Sequence, residues 1–262
     1  MTTIKLRGHR TWVTLPRRGR PAVIFLHGGM SSSGSMLSSI GPGLSKNFRV
    51  GAFDRRGHGR TADTLEPFTY EDMADETIAF IEFLDRRVHL VGHSDGANIA
   101  LLVAMRRPDL LKRVVVVGAN YHYAGLLDFP LLNVEDPGFE QWASQYATLA
   151  PHGIDHAAVV LAKTNEMFRT GPTMTTEDLT TIQVPTLVLV GDDDVATLEH
   201  TISLYESLPN AQLAIVPGAS HAVLKERTKE SVRIIQRFLR QKLPVHTLSP
   251  IRRAPVGEFP GD

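Results

Sequence analysis

Apolar positions along this chain follow two rhythms. Short, largely apolar runs recur at 22–26, 48–53, 88–91, 114–117, 185–190 and 212–216. Runs of that length predict strands buried on both faces of a parallel sheet. Between them the apolar residues return at helical spacing. Met73, Thr77, Phe80, Ile81 and Leu84 share one face over 69–84, and Thr69 with Asp72 resembles a capping box at its start. Further helices are predicted over 97–107, over 198–208 with Leu198, Ile202, Tyr205 and Leu208 inward, and over 225–243 with Val232, Ile235, Phe238 and Leu239 inward. A weaker helix over 36–46 is interrupted by Gly41-Pro42-Gly43. At the start, 3–7 and 11–15 flank Gly8 and predict an antiparallel hairpin at a sheet edge.

After that hairpin, strands and helices alternate, which predicts an α/β fold with a mostly parallel sheet and helices on both faces. The rhythm breaks once. From Tyr121 to Thr181 no strand pattern occurs, and helix-like segments are separated by Pro130, Pro137, Pro151 and Pro172. Insertions of this length between core strands commonly serve as lids. The expected organisation is a core from 1–120 and 182–243, a helical lid from 121–181, and a proline-rich tail from 244–262.

Composition narrows the function classes. The chain has 262 residues, 42% hydrophobic and 21% charged, as expected for one large globular domain. Lys+Arg and Asp+Glu are both 28, so nothing favours a nucleic-acid partner. The absence of cysteine excludes disulfides, thiolate metal sites and cysteine nucleophiles. The first ten residues lack the apolar segment of a secretory signal, and no run approaches the ~20 apolar residues of a membrane span. A cytoplasmic protein with no membrane partner is expected. Oligomeric state is not legible.

The chemistry concentrates at Gly92-His93-Ser94-Asp95-Gly96, a G-x-S-x-G sequence between a strand run and a helix. Glycines on either side permit a turn sharp enough to lift a serine hydroxyl clear of the sheet. The following helix points its free N–H groups at the same spot, which suits an oxyanion. The structural alternative for Ser94 is a helix N-cap. Four other segments end predicted strands: His27-Gly28-Gly29-Met30, Asp54 to Gly59, Gly191-Asp192-Asp193-Asp194, and Gly218-Ala219-Ser220-His221. In open α/β sheets such strand ends gather on one rim. Asp54 and Arg56 are expected to fix their loop by charge-assisted hydrogen bonds, and His58 fits the role of base less well than His221.

The order Ser94, Asp194, His221 and the motifs HGG, DRRGHG, GHSDG, GDDD and GASH resemble the α/β-hydrolase superfamily over about residues 11–243. The resemblance implies an eight-stranded, mostly parallel sheet with a short helical lid. It implies Ser94 as nucleophile, His221 as base and Asp194 as the acid that orients it, with Asp192 and Asp193 as neighbouring alternatives. It implies backbone N–H groups of Gly29 and Asp95 as the oxyanion hole, and neither cofactor nor metal. Aspartate directly after the nucleophile, Gly118-Ala119-Asn120 and the short lid resemble the valacyclovir hydrolase-like (biphenyl hydrolase-like) branch. The Asp95 carboxylate is expected to turn towards the helix N-terminus, leaving its N–H for the oxyanion.

The activity so implied is serine hydrolysis of a small carboxylic ester, lactone, thioester or amide through an acyl-enzyme. Met30, His93, Trp142 and Met167 are candidate substrate-lining residues. The alternatives are acyl transfer, C–C bond hydrolysis or perhydrolysis by the same triad, or a ligand receptor that kept the fold.

Overall fold

A computed structural model of the chain describes residues 2–128, 130–243, 245 and 247. The expected tail therefore lies almost wholly outside the described residues. Eight strands form one sheet: β1 (Thr2–Leu6), β2 (His9–Thr14), β3 (Ala22–Leu26), β4 (Arg49–Phe53), β5 (Val88–His93), β6 (Leu111–Val117), β7 (Thr186–Asp193) and β8 (Ala211–Ser220). Their order is β1-β2-β4-β3-β5-β6-β7-β8. The β1–β2 and β2–β4 pairs are antiparallel and all others parallel.

The continuous apolar runs are explained by burial on both faces. Ile24, Leu26, Val114 and Val116 enter one core cluster, while Val23, Phe25, Val115 and Val117 enter the other. Side chains alternate across a strand, so a strand covered on both sides needs every position apolar. The first cluster is closed by α3 (Tyr70–Phe83) and α4 (Asp95–Arg106). The second is closed by α1 (Ser33–Ser39), α2 (Gly41–Leu44), α9 (Val223–Glu226) and α10 (Thr228–Arg240).

Between β6 and β7 lie α5 (Pro137–Ala147), α6 (Ala157–Thr170) and α7 (Thr176–Thr180), with an isolated bridge from His122 to Thr173. The helix after β7 is α8 (Leu198–Ser207).

Three local expectations change. The helix expected over 36–46 begins at Ser33, and Gly41-Pro42-Gly43 opens a second helical turn. Proline is tolerated there because the first amides of a helix have no intrahelical partner. In α8 the inward face is Thr201, Leu204 and Leu208, whereas Leu198 and Ile202 are each 41% exposed. The true stripe is offset around the helix, and a polar Thr201 on it hid the register. Thr69 caps α3 by accepting from the Asp72 N–H, but Asp72 turns its carboxylate to Arg7 and Arg56, so the reciprocal half of the box is absent.

The chain runs outward from β3 to β4 and returns to β5 on the other side of β3. That reversal opens a crevice at the carboxyl ends of β3 and β5, where ligands bind in open α/β sheets.

Candidate active site

At the end of β5, Ser94 has φ 54° and ψ −123°, a conformation that an L residue holds only under strain. Packing imposes it. A Cβ on Gly92 would lie 2.1 Å from the Gly96 carbonyl oxygen, and one on Gly96 would lie 2.0 Å from that of Leu26. The strand and helix approach so closely that only glycine fits. Ser94 N–H donates to Val117 O at 2.8 Å, and its own carbonyl starts α4 by accepting from Ala97 at 2.7 Å. Its hydroxyl stays at the helix N-terminus without serving as a cap.

His221 follows β8, and its Nδ1–H donates to Asp194 Oδ1 at 2.6 Å. Asp194 is 7% exposed, and the same oxygen accepts from Val195 N–H at 2.7 Å. Burial by itself would raise this carboxyl; the His221 hydrogen bond and charge, with the amides of Ala196 and Val195, hold it below the usual range. Asp192 instead accepts from Ala219 N–H, and Asp193 sits on β7. Gly118, at the end of β6, is a contributor that sequence reading missed. It has φ 58°, and a Cβ there would lie 2.9 Å from His221 Nδ1 and 3.1 Å from Asp194 Oδ2. A valine run closed by glycine was the signal.

The loop after β3 passes directly over the Ser94 turn. A Cβ on Gly28 would meet Ser94 Cβ at 3.2 Å. His27 is buried and donates from Nδ1 to Gly28 O at 2.7 Å, while its Nε2 accepts from Arg55 N–H at 3.2 Å. Burial first, then the Arg55 charge, keep it neutral. The Arg55 guanidinium, fully buried, donates to the carbonyls of both His27 and Gly28. Asp54 and Arg56 fix the neighbouring loop as expected. Asp54 accepts from Ser33 N–H at 2.8 Å and Arg60 N–H at 2.9 Å; Arg56 donates to Thr64 and to the carbonyls of Glu66 and Pro67. His58 is buried among them and lowered to about 3, chiefly by burial and then by Arg55.

The Asp95 side chain departs from expectation. It does not turn back to the helix N-terminus: Oδ1 accepts from Tyr70 OH at 2.9 Å, and Oδ2 lies 2.4 Å from where a Cβ on Gly29 would be. The tyrosine hydroxyl and the positive field of Arg55 behind the loop attract it there. Burial raises this carboxyl, opposed by Arg55 and then Tyr70.

Of the candidate lining residues, Met30 (φ 53°) accepts through its carbonyl from Trp142 Nε1–H at 3.0 Å, which ties α5 to the loop after β3. Phe168 of α6 reaches Gly29, and its neighbour Met167 is buried in the core cluster with Tyr70. His93 Nε2 is engaged with the backbone carbonyl of His221 at 2.8 Å. Burial first, then the neighbouring His221, push it down to about 4.

The segment carrying α6 is also fastened by charge. Asp63 accepts from Lys163 Nζ at 2.8 Å and His156 Nε2 at 2.9 Å. Among the described residues no group of His, Cys, Asp or Glu side chains is arranged to hold a metal ion, and no helix is long and apolar enough to cross a membrane.

A strained serine at a strand-to-helix turn, and an Asp–His pair beyond the ends of other strands of the same sheet, are features of the α/β-hydrolase class. A sequence model of the alpha/beta hydrolase family matches residues 23–234, and the chain belongs to that family. Over 230 residues it is 32% identical to "Putative carbamate hydrolase RutD" of Caulobacter sp. (strain K31), covering 79% of this chain and 85% of that protein. The protein of the same name from Rhizobium rhizogenes is 28% identical over 249 residues, covering 85% and 94%. Among solved structures, the enol-lactonase of Burkholderia xenovorans LB400 superposes with a TM-score of 0.73 at 19% identity, covering 92% of this chain and 100% of that one. A serine hydrolase involved in carbazole degradation, CarC, gives 0.73 at 22%, covering 91% and 97%. At those identities the structural likeness speaks for the fold alone.

Proposed function

We propose that this protein is a serine hydrolase that cleaves a small carboxylic ester, lactone, thioester or amide through Ser94, His221 and Asp194. The observation that carries the reading is the 2.6 Å His221–Asp194 hydrogen bond. It fixes the proton on Nδ1 and so leaves Nε2 as the basic nitrogen. His221 takes the Ser94 hydroxyl proton as Oγ attacks the substrate carbonyl. The tetrahedral oxyanion is received by the N–H groups of Gly29 and Asp95. His221 then returns the proton to the leaving group, and an acyl-enzyme remains. Water, deprotonated by the same nitrogen, releases the acid. Loss of one oxyanion donor costs ~10²–10³ in rate.

Residues 121–181 serve in this reading as a lid over a core of 1–120 and 182–243. Trp142, Met30 and Phe168 link the two, and a covered site favours small substrates. The similarity to a protein named for carbamate hydrolysis adds carbamates, which present the same carbonyl beside nitrogen and oxygen, to the substrate classes.

The test is turnover of short p-nitrophenyl esters and small carbamates by the wild type and by Ser94→Ala. Turnover abolished in the variant supports the reading. Labelling of Ser94 by a fluorophosphonate without ester turnover supports a competent triad with a narrower substrate. Neither turnover nor labelling removes the hydrolase reading and leaves a ligand receptor on this fold.

A further inference from the structure

The catalytic base proposed above is carried on an exposed flank of the sheet. His221 follows β8, which pairs with β7 on one side only and forms the end of the sheet. Beside its ring, between α1 and the start of α9, a cavity of about 230 Å³ is lined by Met36, Ser39, Leu224 and Lys225 together with His93 and His221. Close packing therefore does not by itself hold the His221 backbone from that side. Ser94 follows β5, three strands inward. A nucleophile and a base borne by separate strands must keep their spacing to a fraction of an ångström, because misplacement of about 1 Å can cost ~10² in rate.

One side chain spans the gap. His93 Nε2 lies 2.8 Å from the His221 carbonyl oxygen, and the two rings face each other at 5.0 Å with a 38° tilt. A carbonyl only accepts, so Nε2 carries the proton. The other nitrogen, Nδ1, lies 3.4 Å from where a Cβ on Gly28 would be, against the loop after β3. Nε2 is thus engaged with protein and is not free to act on a substrate or to relay a proton, while Nδ1 lies beside Gly28.

We propose that His93 is a positioning residue: its Nε2–H holds the backbone carbonyl of His221 and so fixes the base, from the central strand, at its distance from Ser94. This rests on the hydrolase reading for its consequence in catalysis, although the tether itself is a matter of geometry. It gives the residue before the nucleophile a task distinct from lining a pocket. A neutral ring also suits the place. A second proton would have to enter at Nδ1, against Gly28, and would set a cation beside the imidazolium that His221 becomes.

The experiment compares the wild type with His93→Phe, which keeps an aromatic ring but has no donor, and His93→Gln, whose amide can reach the same carbonyl. Two readouts are taken. One is the downfield proton resonance of His221 Nδ1–H, expected of a short charge-assisted bond and readable without substrate. The other is the separation of kcat from KM on a p-nitrophenyl ester.

In His93→Phe the resonance is expected to shift or broaden, and kcat to fall by about tenfold with KM within about twofold. In His93→Gln both are expected to recover most of the way. A His93→Phe protein that matches the wild type in both readouts overturns the proposal, as does a His93→Gln protein as impaired as the phenylalanine variant. A rise in KM at constant kcat overturns it too, because it would mean direct substrate contact. If His93→Phe does not fold, as judged by near-ultraviolet circular dichroism, His93→Asn, whose amide stops short of the carbonyl, replaces it with the same expectations. If the wild type neither turns over nor labels with a fluorophosphonate, the hydrolase reading falls. The resonance comparison still decides the tether.

Discussion

The hydroxyl of Tyr70 donates to Oδ1 of Asp95 at 2.9 Å, joining the first residue of α3 to the first residue of α4 directly beside Ser94. Asp95 is 3% exposed, and its other oxygen has no hydrogen-bond partner among the described residues. Tyr70 is therefore what makes this buried carboxyl tolerable. Tyr70→Phe leaves the shape and removes the donor. The expected result is a loss of about 1–3 kcal/mol, the usual cost of orphaning a buried polar group. Urea unfolding of the two proteins measures it; an unchanged midpoint would show that Asp95 finds another partner.

Gly118 sits where Asp194 and His221, the proposed acid and base, meet. Gly118→Ala would place a methyl 2.9 Å from His221 Nδ1 and would force alanine into φ 58°. The Asp194–His221 pair must part to admit it. Ester turnover is expected to fall by about 10², with a smaller loss of stability, about 1 kcal/mol, from the backbone strain. Parallel turnover and thermal-melting measurements separate the two effects.

Acid should destabilise the fold through its buried histidines. Burial, then Arg55, lowers His58 to about 3; burial, then Lys112, lowers His89 to about 4; burial, then His122, lowers His200 to about 4. The unfolded chain takes up these protons near pH 6.5, roughly the free histidine value, and the folded chain refuses them. Stability is therefore full above about 6.5 and is lost as pH falls from there towards about 4 and then 3. Urea unfolding at successive pH values should show that slope. His58→Asn keeps a donor for the Arg56 carbonyl and should flatten the slope. An equal slope in the variant would remove His58 from the account.

Lys163 donates to Asp63 and to the carbonyls of Thr64 and Glu66, clamping α6 onto the loop that follows β4. Lys163→Met keeps an unbranched side chain and removes the ammonium, which lies 5.3 Å from the centroid of the Phe68 ring. Asp63 keeps the His156 hydrogen bond and the Arg56 guanidinium 4.0 Å away but loses the lysine, and amide exchange over 157–170 should quicken by about tenfold. Exchange confined to that stretch would identify the clamp as local; a uniform rise would mean global destabilisation instead.

Much of this molecule is legible because its sheet is covered on both sides. Continuous apolar runs such as Val114–Val117 leave little choice but a central strand, and five strand ends then fall on one rim. The order of Ser94, Asp194 and His221 added the class. What stayed hidden depends on side-chain direction. The Asp95 carboxyl was expected at the helix terminus, yet Tyr70, distant in sequence, captures it. Arg55 reads like an exposed cation between two loop-forming residues, and it is the largest fully buried side chain. Its burial is compensated by backbone carbonyls, which carry no sequence signature. In α8 the stripe was misread because one of its inward positions is threonine.

The contact between Trp142 and Met30 has a practical corollary. The chain has two tryptophans. Trp12 lies under the Arg60 guanidinium on β2, and Trp142 hydrogen-bonds through its indole N–H to the loop bearing Gly29. With Trp12 replaced by phenylalanine, the emission colour of the molecule would come from that one ring. Any ligand that pries α5 from the loop would expose the indole to water and redden the light. The fold thus contains its own optical gauge of whether α5 rests on that loop, usable before a single substrate is known.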